Sequence, residues 1–251
     1  MLPVLFKVGP LTLHSWGLLL FLAFAAAVVR GMRRAGRYGI PVDAFQDAAL
    51  IGLIGGIVGG RLGFVVQNLG HYLKAPAEIP AIWTGGMTSF GGLIGGVGAG
   101  LLAARRKGLD LRDTADLAAV SIAIGYTIGR IGCFLNGCCH GSRCNLPWAV
   151  NFHPDGGPAT GPVHPAQLYS AAAGLAIYLV LLRVEKHRRF PGQVILTFAI
   201  LYGVYRFLVE FVREGATAEV LAAGLTTGQI ASIAVSALGA VLWIRARRNG
   251  A

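Results

Sequence analysis

Apolar runs of roughly twenty residues recur along this chain, separated by short basic clusters, and no other feature limits its fold so strongly. They cover His14–Val29, Gln46–Val66, Thr84–Ala104, Thr114–Cys133, Pro165–Leu182, Gln193–Val212 and Thr227–Ile244. A helix of about 20 residues crosses a hydrocarbon core about 30 Å thick. Backbone N–H and C=O groups in that core have no water to bond, so each run must satisfy its own as a helix. The pattern predicts an all-α polytopic membrane protein with about seven transmembrane helices. The first run is short and is expected to extend back toward Leu11. Composition agrees: 55% of the 251 residues are hydrophobic and 13% charged, against about a quarter charged in soluble domains. We expect a single integral-membrane helical domain over 1–251, with an outer loop at about 134–164.

The net charge of +11 would suggest nucleic acid if the basic residues formed a face interleaved with aromatics, and they do not. They punctuate the spans instead. Arg30, Arg33, Arg34 and Arg37 follow the first, and Arg105, Arg106, Lys107 and Arg112 the third. Arg183, Lys186, Arg188 and Arg189 follow the fifth, and Arg245, Arg247 and Arg248 the last. Fifteen of the 22 Lys and Arg thus fall on one side. By the positive-inside rule that side is cytoplasmic, with the N-terminus outside and the C-terminus inside. Residues 1–13 carry one lysine, two prolines and no small-residue cleavage site, so the first span is expected to insert and remain.

Arg61, Arg130 and Arg206 lie inside apolar runs. A cation there costs at least about 2.5–3.5 kcal/mol and is retained where it meets a cavity, an ion partner or a polar substrate. Arg61 is 14 residues past Asp47, Arg130 14 past Asp116 and Arg206 13 past Gln193. At 1.5 Å per residue each sits roughly 20 Å above the cytoplasmic start of its span. With His14, His164 and Gln167 at outer span ends, the polar groups converge on the outer leaflet, where a phospholipid headgroup is the obvious anion. Glycines four apart, such as Gly55/Gly59 and Gly91/Gly95, predict close helix packing. Gly91–Gly92, beside Thr88 and Ser89, are expected to let a headgroup approach the backbone.

Several segments carry a more specific signal. They are Gly129-Arg130-Ile131-Gly132-Cys133-Phe134-Leu135-Asn136-Gly137-Cys138-Cys139-His140-Gly141, Gly85-Gly86-Met87-Thr88-Ser89-Phe90-Gly91-Gly92-Leu93, His164-Pro165-Ala166-Gln167-Leu168-Tyr169 and Tyr202-Gly203-Val204-Tyr205-Arg206-Phe207-Leu208-Val209-Glu210-Phe211. With His14-Ser15-Trp16-Gly17-Leu18, Gly59-Gly60-Arg61-Leu62-Gly63 and Gly228-Gln229-Ile230, the chain resembles the bacterial prolipoprotein diacylglyceryl transferase family over nearly its whole length. The resemblance implies transfer of the diacylglyceryl group of phosphatidylglycerol to the lipobox cysteine of preprolipoproteins, whose signal peptides would be its partners. It also implies a multi-pass protein of the bacterial cytoplasmic (inner) membrane, with its active site toward the outer leaflet. No cofactor and no metal is implied. Arg130 matches the signature arginine and Arg206 the second essential one. Arginine suits a phosphate because its planar fork donates two hydrogen bonds and stays charged. Arg61, Ser89, Gly91, Gly92, Asn136, Gly141, His164, Gln167 and Glu210 are expected around the substrate. Arg61 has a second reading, a structural ion pair with Glu210. Glu210 is expected to orient an arginine rather than act as a base, and Arg206 is its (i, i+4) neighbour. His164 and Gln167 could equally cap the fifth span, with Pro165 in its first turn.

The chain departs from the family's best-known motif at three positions: Phe90 stands in place of a histidine, Cys133 of an asparagine and Cys138 of a glutamate. Thiol activation is therefore open. A cationic pocket lowers a thiol's pKa and could suffice, and His140 is a conceivable base. Cys133, Cys138, Cys139 and Cys144 fall within twelve residues. A disulfide among the last three, free thiols, or a metal site with His140 are all compatible, although the spacing is not a usual ligand pattern. Two rival readings follow: a non-catalytic relative that binds or moves phospholipid, and a membrane thiol oxidoreductase using the cysteines.

Overall fold

A computed structural model describes residues 4–8, 11–153, 158–213, 220–222 and 224–249. Helices form at every predicted apolar run: α1 (Ser15–Ala35), α2 (Val42–Gln67), α4 (Ser89–Arg106), α5 (Leu111–Asn136), α6 (Ala166–Lys186), α7 (Gln193–Val209) and α8 (Thr227–Asn249). A single turn, α3 (Leu69–Tyr72), follows α2. Six helices among the described residues are long and apolar enough to cross a membrane. The exception among the predicted runs is α4, in which six of 18 residues are glycine and the last two are Arg105 and Arg106. Its seam of glycines serves packing at the expense of hydropathy.

The first run differs from expectation. Residues Leu11–His14 form a strand, β2, paired antiparallel with β1 (Val4–Val8). Leu-Thr-Leu-His alternates apolar and polar, the strand period. The helix therefore starts at Ser15 and gains its length at the other end. Two further short ladders pair β3 (Val150–Asn151) with β4 (Pro162–Val163), and β5 (Val220–Ala222) with β6 (Leu225–Thr226).

The chain divides into two units, Gly31–Thr114 and Met1–Arg30 with Ala115–Ala251. In the first, α2 and α4 meet along glycines. A Cβ on Gly59 would lie 2.4 Å from the Gly91 carbonyl oxygen, and one on Gly95 2.3 Å from that of Gly55. No side chain fits there, so backbone meets backbone, the dense contact that holds helices together without a hydrophobic driving force.

In the second unit, Ala119, Val120 and Ala123 of α5 pack with Ile177 and Leu181 of α6 and Val194 of α7. The fully buried Asp116 accepts hydrogen bonds from the Gly192 and Ile195 N–H groups, at 2.9 and 2.8 Å, and pairs with Arg188 at 2.8 Å. A carboxylate from one helix thus caps the N-terminus of another, where orphan N–H donors and the helix dipole favour negative charge. Arg30 pairs with buried Glu185 at 2.6 Å and donates to the Leu117 carbonyl. Large apolar side chains point outward instead, among them Phe21, Val66, Phe90 and Leu208. For a chain in lipid that is the expected arrangement, since the hydrocarbon is as apolar as any core.

Candidate functional site

Arg130 leaves the last turns of α5, and its guanidinium lies 4.9 Å from the centre of the Tyr126 ring, one turn earlier. Tyr126 meets Tyr202 edge-on at 5.7 Å, and its hydroxyl lies 3.0 Å from that of Tyr205. Tyr202 and Tyr205 belong to α7, as does Arg206. Tyr202 lies within electrostatic reach of Arg130, Arg206 and Arg213 together. Three cations thereby gather round one tyrosine cluster. For Arg130 the cation–π contact with Tyr126 steadies the charge by about 0.5–2 kcal/mol without neutralising it.

Arg206 forms an ion pair with Glu210 through Nη1 and Oε2. Glu210 is buried, and its other oxygen accepts from the Thr226 hydroxyl at 3.2 Å. Gly228 makes room for it: a Cβ there would lie 2.3 Å from Oε1. The pair places a carboxylate behind one arginine of the group, an arrangement that orients it.

The signature segment leaves α5 at Asn136 and turns at Gly137, whose φ is +78°. Cys139 also has positive φ, +62°, and is the one non-glycine so placed among the described residues. Three strand-like contacts then tie the segment down. The Gly141 N–H donates to the His164 carbonyl at 2.9 Å, and the Ser142 N–H to that of Val212 at the same distance. Gly141 also bridges antiparallel to Arg213. A Cβ on Gly141 would meet the Val212 oxygen at 2.2 Å, so only glycine fits. Gln167 is fully buried and donates from Nε2 to the Cys138 carbonyl at 2.7 Å, while its Oε1 has no partner among the described residues. Arg130, Gly141, His164, Gln167, Arg206 and Glu210 thus fall in one unit, with Gly141, His164 and Gln167 in backbone-holding positions and Asn136 ending α5 ahead of the turn.

The residues of the other unit have different surroundings. Arg61 is buried and donates four hydrogen bonds to main-chain oxygens, those of Glu78, Ile79, Gly85 and Gly86, at 2.6–3.2 Å. Phe64 and Tyr72 flank it. Glu210, anticipated as one partner for Arg61, is paired with Arg206, four residues before it. Arg61 clasps the segment from 78 to 86. Gly91 and Gly92 face α2, at the oxygens of Gly59 and Gly56. A helix backbone makes a close approach there. Ser89 opens α4 and is exposed.

All four cysteines carry free thiols, so no disulfide joins Cys138, Cys139 and Cys144. The sulfurs of Cys133, Cys138 and Cys139 lie within 4.8 Å of one another. Hydrogen bonds from Cys133 and Cys138, with the charges of Arg130 and Arg213, hold the Cys139 thiol below the ordinary range. His140 is turned away from them, stacked on Phe152 with its Nδ1 3.1 Å from the Gly141 oxygen. Phe152 is itself fully buried and meets Phe134 edge-on. The expected outer loop is therefore anchored by an aromatic plug.

Sequence reasoning did not single out the tyrosine cluster or Arg213. One signal was present: Tyr126 and Arg130 are four apart, as are Tyr202 and Arg206, and such pairs share a helix face.

A family model described as prolipoprotein diacylglyceryl transferase matches residues 3–245. The chain is 39% identical over 252 residues to the phosphatidylglycerol–prolipoprotein diacylglyceryl transferase of Geobacter sulfurreducens, covering 98% of this chain and 96% of that protein. It is 40% identical over 248 residues to the protein of the same name from Nitratidesulfovibrio vulgaris strain DP4, covering 96% and 92%. To that from Bordetella avium it is 38% identical over 253 residues, covering 98% and 95%.

Proposed function

The chain belongs to the prolipoprotein diacylglyceryl transferase family, and we propose that it moves the diacylglyceryl group of phosphatidylglycerol onto the lipobox cysteine of preprolipoproteins. The observation that carries the reading is that Arg130, Arg206 and Arg213 all act on Tyr202, while the buried carboxylate of Glu210 pairs with Arg206. The surplus of positive charge suits a phosphate diester and suits still better the dianion that leaves.

Phosphatidylglycerol enters sideways from the bilayer, its acyl chains among the apolar helices and its phosphate on Arg130 and Arg206. The acceptor sulfur attacks the diacylglyceryl carbon bonded to the phosphate oxygen. A C–S bond forms, the C–O bond breaks, and glycerol phosphate departs with the electron pair while the thiol proton is lost. Negative charge grows on the leaving phosphate, so donors already aimed at it lower the barrier. Glu210 orients Arg206, and Gln167, Gly141 and His164 hold the turn that follows Arg130. Arg61 acts at one remove, as a positioning residue for the segment it clasps.

The protein works as a single seven-span domain of the bacterial cytoplasmic (inner) membrane, α4 being the seventh span. Its N-terminus is outside, its C-terminus cytoplasmic and its site toward the outer leaflet. Basic clusters after α1, α4, α6 and α8 support this orientation.

The test incubates purified protein with phosphatidylglycerol and a lipobox peptide and weighs the peptide. A cysteine heavier by one diacylglyceryl group is expected. Arg130→Ala and Arg206→Ala should each slow the reaction at least about a hundredfold, as loss of a transition-state donor does. Full activity in either correctly inserted variant would defeat the assignment, and an unmodified peptide with lipid bound would point to a non-catalytic phospholipid-binding relative.

A further inference from the structure

The three clustered sulfurs lie on segments with different geometry. Cys133 sits on the last turn of α5, and Cys138 and Cys139 follow the positive-φ turn at Gly137. Their Sγ atoms nonetheless lie within 4.8 Å of one another. Thiolates sharing one zinc ion at Zn–S distances near 2.3 Å stand about 3.8–4.0 Å apart. Less than about 1 Å of closure separates the cluster from that geometry.

A second, independent observation concerns the backbone. Cys139 holds φ at +62° without being glycine, a conformation that costs about 1 kcal/mol or more and persists where surrounding structure enforces it. Here the enforcement is visible: Gln167 grips the Cys138 carbonyl, and the Cys138 N–H returns to the Cys133 carbonyl at 3.2 Å. The turn is held in the form that brings the third sulfur to the other two. Cys144 lies outside the cluster.

We propose that Cys133, Cys138 and Cys139 bind one thiophilic divalent cation of the zinc class, with its fourth position open on the exposed side of Cys139 to take the acceptor thiol. This use of the site rests on the transferase reading above; the binding itself does not. Coordination deprotonates a thiol outright, releasing its proton to water. The bound sulfur then attacks the diacylglyceryl carbon as the C–O bond breaks and glycerol phosphate leaves toward Arg130 and Arg206. Phe90, Cys133 and Cys138 stand where the family motif has a histidine, an asparagine and a glutamate, so the ion would supply an activation that those side chains cannot.

Full-length protein in detergent, reduced and freed of metal, is titrated with cobalt(II) under nitrogen, without lipid or peptide. Thiolate-to-cobalt charge-transfer absorption should saturate at one ion per chain and be bleached by zinc. Cys139→Ser should weaken binding at least about tenfold, as loss of a metal's supporting groups does, while Cys144→Ser binds as before. Cys133→Asn and Cys138→Glu serve as further tests if Cys139→Ser fails to fold. Absent one-to-one binding, an equal loss in Cys144→Ser, or a disulfide within the trio of the isolated protein overturns the site. In a separate arm, a chelator should lower peptide modification at least about tenfold and zinc restore it. Binding with chelator-insensitive transfer overturns the activation step, and binding without any transfer overturns the transferase reading while leaving the metal site.

Discussion

Glu210 and Arg61 show how one kind of intramembrane charge serves two ends. Glu210 is buried, paired with Arg206 and bonded to Thr226, and it fits because Gly228 has no side chain. Breaking a buried pair by removing one partner's charge costs about 3–5 kcal/mol. Glu210→Gln should therefore loosen Arg206 and slow transfer at least about tenfold, while Arg206 stays charged for the phosphate. Gly228→Ala should act in the same direction, because its Cβ would displace the carboxylate. Lipid-modified peptide measured over a range of phosphatidylglycerol concentrations checks both; wild-type rates in Gly228→Ala would show that Glu210 does not position Arg206. Arg61 spends its hydrogen bonds on carbonyls, each worth about 1.5–3 kcal/mol when the donor is charged. Lysine keeps the charge but lacks the fork. Hydrogen exchange in residues 78–86 should accordingly rise in Arg61→Lys, and unchanged protection there would refute the clasp.

Among elements, the glycine seam between α2 and α4 makes the sharpest prediction. Gly59 and Gly98 are both glycines of this unit, yet a Cβ on Gly59 would strike a carbonyl at 2.4 Å whereas one on Gly98 meets nothing within 4 Å. Gly59→Ala must part the helices and should destabilise by about 1–3 kcal/mol, the usual cost of overpacking. Gly98→Ala should be neutral or slightly stabilising, since alanine is the better helix former. Thermal unfolding in one detergent distinguishes them, and equal melting temperatures would contradict the seam. Asp116 shows the complementary device, in which one helix supplies the cap that another lacks.

For the whole molecule the testable quantity is orientation. Four basic clusters on one side predict a cytoplasmic C-terminus and an external N-terminus. Green fluorescent protein fused after Ala251 should fluoresce, because it folds inside the cell, and alkaline phosphatase fused there should be inactive. The opposite pair of results would invert the topology and put the arginine cluster in the wrong leaflet for the proposed acceptor. An odd number of spans puts the two termini on opposite sides, so the same reporters placed after Lys107, just beyond α4, should also give the cytoplasmic pattern, and the external pattern there would show that α4 does not cross.

Helix positions were legible in the sequence because hydrocarbon forces each segment to satisfy its own backbone, which makes the length of an apolar run a local property. The start of α1 was not, since the choice between strand and helix at Leu11–His14 depends on pairing with Val4–Val8. Arg130, Arg206 and Glu210 were legible as site candidates because a charge inside an apolar run needs a reason. What those charges touch is decided by segments far apart in the chain. Arg61 could be recognised as buried, but its commitment to four carbonyls depends on how residues 78–86 fold back. The burial of Phe152, the tyrosines round Arg130 and the meeting of three sulfurs have the same cause. Residue type and spacing determine what a side chain can do; only tertiary structure decides which of its bonds are already taken.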